Sequence, residues 1–180
     1  MRLLIQTLYH RKSVLRKMKR LLTVLIISFF MVAGCGLGAS KYDDAIMDGA
    51  SNLNTGKTEE ALADFNRAIK IKPQVAAGYL GRANTLNIMG RYEEAIEDYD
   101  KTLEINPKLA NAYVNRASAY SHLGEYEKAI ADYEKGLALD PKIDNNPGFI
   151  NRLFSNEPNT DKGIRKHLEY LKQKVEAQSG

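Results

Sequence analysis

Pro73, Pro107 and Pro141 stand 34 residues apart, and the residues ahead of them keep the same step. Gly56, Gly90 and Gly124 form one register, Ala61, Ala95 and Ala129 a second, and Phe65, Tyr99 and Tyr133 a third. An in-phase repeat of this length predicts an all-α solenoid of helix–turn–helix units. One unit cannot bury its apolar face alone, and stacking on the next one does so. The glycines suit the unusual backbone angles that end a first helix before a tight turn. The alanines let the two helices of a unit approach closely. The aromatic residues follow four positions later on the same helical face and fill the core. Leu62, Ile96 and Ile130, with Ile69, Leu103 and Leu137, complete the apolar stripe, and each proline closes a second helix.

The repeats run over residues 42–75, 76–109 and 110–143. In the second, YLGRANTLNIMG reads as a first helix and RYEEAIEDYDKTLEINP as a second. YVNRASAYSHLG and EYEKAIADYEKGLALDP match them in the third. The first repeat departs at its start, where Asp48-Gly49 replace the Arg-Ala pairs Arg82-Ala83 and Arg116-Ala117. It is expected to be the least stable and to act partly as a cap. This segment resembles the tetratricopeptide repeat family over about 100 residues. Thr102 and Gly136 depart from the alanine that the family places there and that Ala68 matches.

The resemblance implies a right-handed superhelix whose first helices line a concave groove for a protein or extended peptide partner. By position the groove row holds Asp43, Ile46, Met47, Ala50 and Leu53, then Ala77, Leu80, Gly81, Asn84 and Asn87. The third repeat adds Asn111, Val114, Asn115, Ser118, Ser121 and His122. Amide side chains both donate and accept, so a row of them suits an extended main chain without strict demands on its sequence. Family members that grip chaperone tails use lysines, an arginine and asparagines on a C-terminal carboxylate. The matching positions here hold Ile46, Ala50, Gly81 and Asn115, with Asn111 where a lysine is expected, so that mode is not implied.

A polar register, Asp64, Asp98 and Asp132, repeats as well. Arg82 and Arg116 are expected to reach an aspartate on a neighbouring helix as structural ion pairs. Beyond residue 143 the pattern fails. Residues 144–180 read as loop and capping helix, or as a degenerate fourth repeat. Asn145-Asn146-Pro147-Gly148 suggests a turn, Phe149 to Phe154 a short helix and Glu157-Pro158-Asn159 a second loop. Thr160 or Asp161 is the expected cap of a final helix. Ile164, Leu168, Leu171 and Val175 form one apolar stripe there, as the lid that the end of a solenoid requires. Lys162, Arg165, Lys166, Lys172 and Lys174 make its other side basic.

The N-terminus reads as an address. Lys17, Lys19 and Arg20 precede the apolar run LLTVLIISFFMV, and small residues follow, as in a secretory signal. The run is short of the roughly 20 residues that comfortably span a bilayer. Val32-Ala33-Gly34-Cys35 resembles the lipobox of bacterial lipoproteins. That resemblance implies a signal segment over residues 1–34, cleaved ahead of a diacylglyceryl-modified and further acylated Cys35. Such acyl chains, at about 0.8 kcal/mol per buried CH₂, anchor a protein to the membrane. Gly36, where inner-membrane lipoproteins carry aspartate, points by the same resemblance to the outer membrane, facing the periplasm. Met18 opens a complete signal by itself and is an alternative start. Residues 35–41 hold the lipidated cysteine and a linker, whose stretch from Gly36 to Ser40 reaches at most ~20 Å.

Charge points away from nucleic acid. Seven of the 26 basic residues lie before Cys35, where no acidic residue stands. The other 19 face 22 acidic ones, so the repeat region is mildly anionic and lacks a basic footprint. Cys35 is the only cysteine, which excludes an internal disulfide, and His122 and His167 have no partner at metal-ligand spacing. No phosphate loop or nucleophile motif is present. No cofactor, metal or enzymatic activity is expected. The expected function is a membrane-anchored adaptor or scaffold of the bacterial cell envelope. The alternatives are a permanent structural subunit of an envelope assembly, with the groove idle, or recognition of cell-wall glycan.

Overall fold

The computed structural model describes residues 40–145 and 163–179. Among the described residues seven α-helices and no strand occur. They are α1 (Lys41–Asn54), α2 (Thr58–Ile71), α3 (Ala76–Ile88), α4 (Tyr92–Ile105), α5 (Ala110–His122), α6 (Tyr126–Leu139) and α7 (Ile164–Ser179), with a 3-10 turn at Ile143–Asn145. Cys35, the apolar run before it and the expected features at 146–162 lie outside these residues.

Helices pair as α1 with α2, α3 with α4 and α5 with α6, and the pairs stack through α2–α3 and α4–α5. The first helices also meet directly, α1 with α3 and α3 with α5, whereas the second helices do not approach one another as closely. The stack is therefore shorter along its first-helix side, and that side is concave.

Three identical turns make the pairs. Gly56, Gly90 and Gly124 have φ of 77°, 75° and 78°, in the left-handed region that a side chain disfavours. Each sets up the double hydrogen bond of a Schellman motif. In the first, Gly56 N–H donates to Leu53 C=O at 3.1 Å and Lys57 N–H to Asn52 C=O at 2.8 Å. The second helices lack side-chain N-caps but open on Glu59 and Glu60, Glu93 and Glu94, and Glu127, whose charges suit the positive helix end. At α1 a capping box does that work. Asp43 N–H donates to Ser40 Oγ at 3.2 Å and Ser40 N–H to an Asp43 carboxylate oxygen at 3.2 Å.

Ala61, Ala95 and Ala129 are fully buried beside Phe65, Tyr99 and Tyr133. The departures from the family pattern have packing reasons. A Cβ on Gly136 would lie 2.5 Å from Val114 Cγ2, so the missing side chain is the space that Val114 fills. Thr102 is buried with its hydroxyl donating to Asp98 C=O at 2.8 Å. Gly49 and Gly81 flank the Phe65 ring from two helices, where a Cβ would come within 2.9 Å and 2.2 Å of it.

Helix α7 packs against α6 and closes the last repeat. Ile164, Leu168 and Leu171 join the cluster of Val114, Tyr133, Leu137 and Ile143. Its cap comes from the end of the third repeat, since Asp144 Oδ1 accepts the Ile164 N–H at 2.5 Å while Arg165 Nε lies 3.4 Å from Oδ2. The expected cap, Thr160 or Asp161, lies outside the described residues. His167 on α7 meets the Tyr133 ring edge-on at 5.6 Å, much as Asn115 lies beside the Tyr99 hydroxyl one repeat earlier.

Candidate partner-binding face

The arginines of the first helices turn away from the concave side and tie the layers together. Arg82 grips Asp98 with two hydrogen bonds of 2.6 Å and reaches Asn66 of the preceding repeat with a third, also 2.6 Å. Arg116 repeats this with Asp132, at 2.6 and 2.8 Å, and with Asp100. Each guanidinium thus joins its own repeat to the one before. Burial opposes the charge on Arg116, but the bonds to Asp132 and then Asp100 outweigh it and raise its pKa. The Arg82 pKa is raised chiefly by its bond to Asp98. Asp64 is served differently. Its arginine is Arg67 of its own helix, at 2.9 Å, which also reaches Asp48 at 3.0 Å, and Asn52 donates to Asp64 at 2.8 Å. In the first repeat Asp48 holds the place of the arginine, and Arg67 of the second helix serves both acids.

The row of amides divides in two. Asn84 Oδ1 accepts from Tyr99 Oη at 2.8 Å and from Asn115 Nδ2 at 2.7 Å, so both amides belong to a network between the second and third repeats. Burial pushes the Tyr99 phenol well above its ordinary pKa, with Asp98 adding to the rise and Asn115 opposing it. Asn87 and Asn111 are half-buried and make no side-chain hydrogen bond within the described fold, and Asn87 Oδ1 is shielded without a partner. Replacing Asn115 by Ala should cost about 1–2 kcal/mol by stranding Asn84, whereas Asn87→Ala should stay within about 0.5 kcal/mol. Urea unfolding of both variants separates the roles, and equal losses would make Asn87 a structural residue.

Four residues of the expected row, Asn115 among them, are buried or engaged within the fold. Val114 is fully buried against Gly136, and Asn115 is 8% exposed. Ser118 is 1% exposed, and the Ser121 hydroxyl lies 3.2 Å from His167 Nε2 on α7. The docking of α7 thus covers the third-repeat end of the row. His122 is exposed but stacks flat on Tyr92 of the preceding repeat, centroids 4.5 Å apart at 7°. Periodicity does not single out Tyr92 or His167, because neither lies on a first-helix face of the three repeats.

The accessible concave face is consequently carried by α1 and α3. Met47, Ala50, Ala77 and Ile88 are exposed there, and Ile46, Leu53, Leu80 and Asn87 are half-buried, with Asn111 beside them on α5. Leu80 also packs against the cluster of Ala83, Leu86, Ala95 and Tyr99. Among the described residues no group of three His, Cys, Asp or Glu could hold a metal ion, and no helix is long and apolar enough to cross a membrane.

Comparison with known proteins fits this architecture. Residues 74–142 match one tetratricopeptide repeat model and residues 49–75 match another. The chain carries tetratricopeptide repeats. The TPR2B domain of yeast Sti1, solved in complex with pHsp70, is 23% identical, with a TM-score of 0.60 over 78% of this chain and 99% of that one. The Sgt2 TPR domain of Aspergillus fumigatus is 22% identical, with a TM-score of 0.62 over 79% and 84%. The type III secretion translocator chaperone SycD of Yersinia enterocolitica is 20% identical, with a TM-score of 0.62 over 78% and 90%. At these identities the likeness is one of fold. No curated relative matches the sequence.

Proposed function

We propose that these tetratricopeptide repeats form a lipid-anchored adaptor of the bacterial cell envelope. The concave face of α1 and α3 holds a protein segment, and Cys35 carries the lipid that keeps the domain at the outer membrane, facing the periplasm. One observation carries the adaptor half of this reading. The charged side chains of α3 and α5 are spent on holding the repeats together, while Met47, Ile88, Asn87 and Asn111 are left without a role in the fold. Structural relatives solved with a bound chaperone segment, such as the Sti1 domain, support a polypeptide as the occupant. The anchor half rests on the order of charge, apolar run, small residues and cysteine in the sequence. The role is one of binding rather than catalysis.

The test is affinity purification from crosslinked bacterial envelopes. Wild type is compared with Asn87→Ala/Asn111→Ala, a pair that spares the Asn84–Tyr99–Asn115 network. A partner recovered by the wild type should be lost or strongly depleted with the variant, and one retained in full would move the binding site elsewhere. In the same strains Cys35→Ser should shift the protein from the membrane to the soluble fraction and abolish incorporation of labelled palmitate. Unchanged membrane association with no label in the wild type would remove the lipid anchor.

A further inference from the structure

We propose that the occupant of the concave face is an internal, extended peptide segment with apolar side chains and basic flanks, held along its length rather than by a terminal carboxylate. This rests on the adaptor reading and narrows it to one ligand class. Met47, 66% exposed, and Ile88, 53% exposed, are the most exposed large apolar side chains among the described residues, and both lie on this face. Helical spacing aligns Met47 with Ile46, Ala50 and Leu53, and Ile88 with Leu80, Asn84 and Asn87. Met47, Ala50 and Leu53 on α1 and Leu80 and Ile88 on α3 give each strip apolar side chains, and an extended segment offers alternate side chains to such a surface.

The charges of the face exclude an acidic end. The basic residues of the three first helices are Lys41, Arg82 and Arg116. Lys41 stands half a turn away from the strip of α1, and both arginines are committed to carboxylates behind the face. A carboxylate entering the groove would shed water and meet no cation from these helices. The ionisable groups that the first helices bring to the face are Asp43, which already feels the charge of Lys72, and His122, which is stacked on Tyr92. The chain from Cys35 onward carries 19 basic against 22 acidic residues, so its field favours a lysine or arginine flank and weakens as salt rises. Asn111, unused by the fold, offers a donor and an acceptor to the main chain of the segment, and Asn87, whose Oδ1 is shielded, offers its amide N–H.

The test uses the full chain in detergent micelles and three dye-labelled probes read by fluorescence anisotropy. They are an amide-capped alternating Leu-Ser decapeptide with lysine ends, its free-acid form, and the acidic heptapeptide SRMEEVD. The capped apolar probe should bind at least ~10-fold tighter than the acidic one, and the free acid should match the capped form within ~2-fold. Met47→Asp/Ile88→Asp should weaken the apolar probe at least ~10-fold with an unchanged thermal melt, and Met47→Leu should leave it as it was. Equal or tighter binding of SRMEEVD, absence of binding by the apolar probe, or indifference to the double substitution would each overturn the assignment. Envelope capture separates the two readings. If capture still depends on Asn87 and Asn111 while the probes fail, the adaptor stands and this ligand class falls. Capture that ignores the face removes the adaptor itself.

Discussion

Arg116→Ala is expected to lower the stability of the repeat domain by about 3 kcal/mol, the largest effect of any single surface-reaching residue in it. The side chains of Arg116 and Asp132 are 18% and 10% exposed, so water cannot replace the lost cation at the Asp132 carboxylate. Removing one partner of a buried pair costs more than the pair itself contributes, because the other charge is left stranded. The second arm, to Asp100, adds little, since that carboxylate is 54% exposed and already solvated. Arg82→Ala should cost less, since Arg82 is 28% exposed and its third partner is the neutral Asn66. A cycle of Arg116→Ala with Asp132→Asn, followed by urea unfolding, should show strong coupling. A loss under ~1 kcal/mol for Arg116→Ala would mean that the guanidinium sits in water.

Gly81→Val should destabilise by about 2–3 kcal/mol through overpacking. Even a first carbon at this position would lie 2.2 Å from the Phe65 ring, which is packed so closely between helices that a Cβ on Gly49 would also come within 2.9 Å of it. Shrinking the ring should relieve the strain. In the Gly81→Val background, Phe65→Leu should cost far less than in the wild type, with a coupling of about 1–3 kcal/mol. Independent losses that simply add would show that the ring has another place to go. This contact explains why Gly81, which periodicity places in the groove row, is neither a ligand residue nor open space. It is where α3 lies against the core of the preceding repeat.

The helix pairs, their turns and the aromatic–alanine core were legible from residue types, because each depends on contacts within about one repeat. The glycine that must take a positive φ and the alanine that admits a neighbouring helix can be read at their own positions. That Arg82 and Arg116 reach aspartates of neighbouring helices was legible from the repeated residues, whereas the choice of Asp98 and Asp132, within the same unit, came from the structure. Asp64 broke the pattern because Asp48 holds the place of the arginine, and Arg67 came from the second helix instead.

The candidate site was legible only in outline. Helical phase put Asn84, Asn87, Asn111 and Asn115 on one face, but it could not tell that Tyr99 would consume two of them. Nor could it tell that Val114 would sink into the gap at Gly136, or that the expected lid helix would bring His167 over Ser121. Phase along a helix is a local property of the chain, so the sequence by itself determined the repeats and the signal-like N-terminus, and the concave side followed from the resemblance they carry. Accessibility depends on side-chain volumes and on a helix that comes back from outside the repeat, and only the tertiary structure decided which side chains a partner can reach.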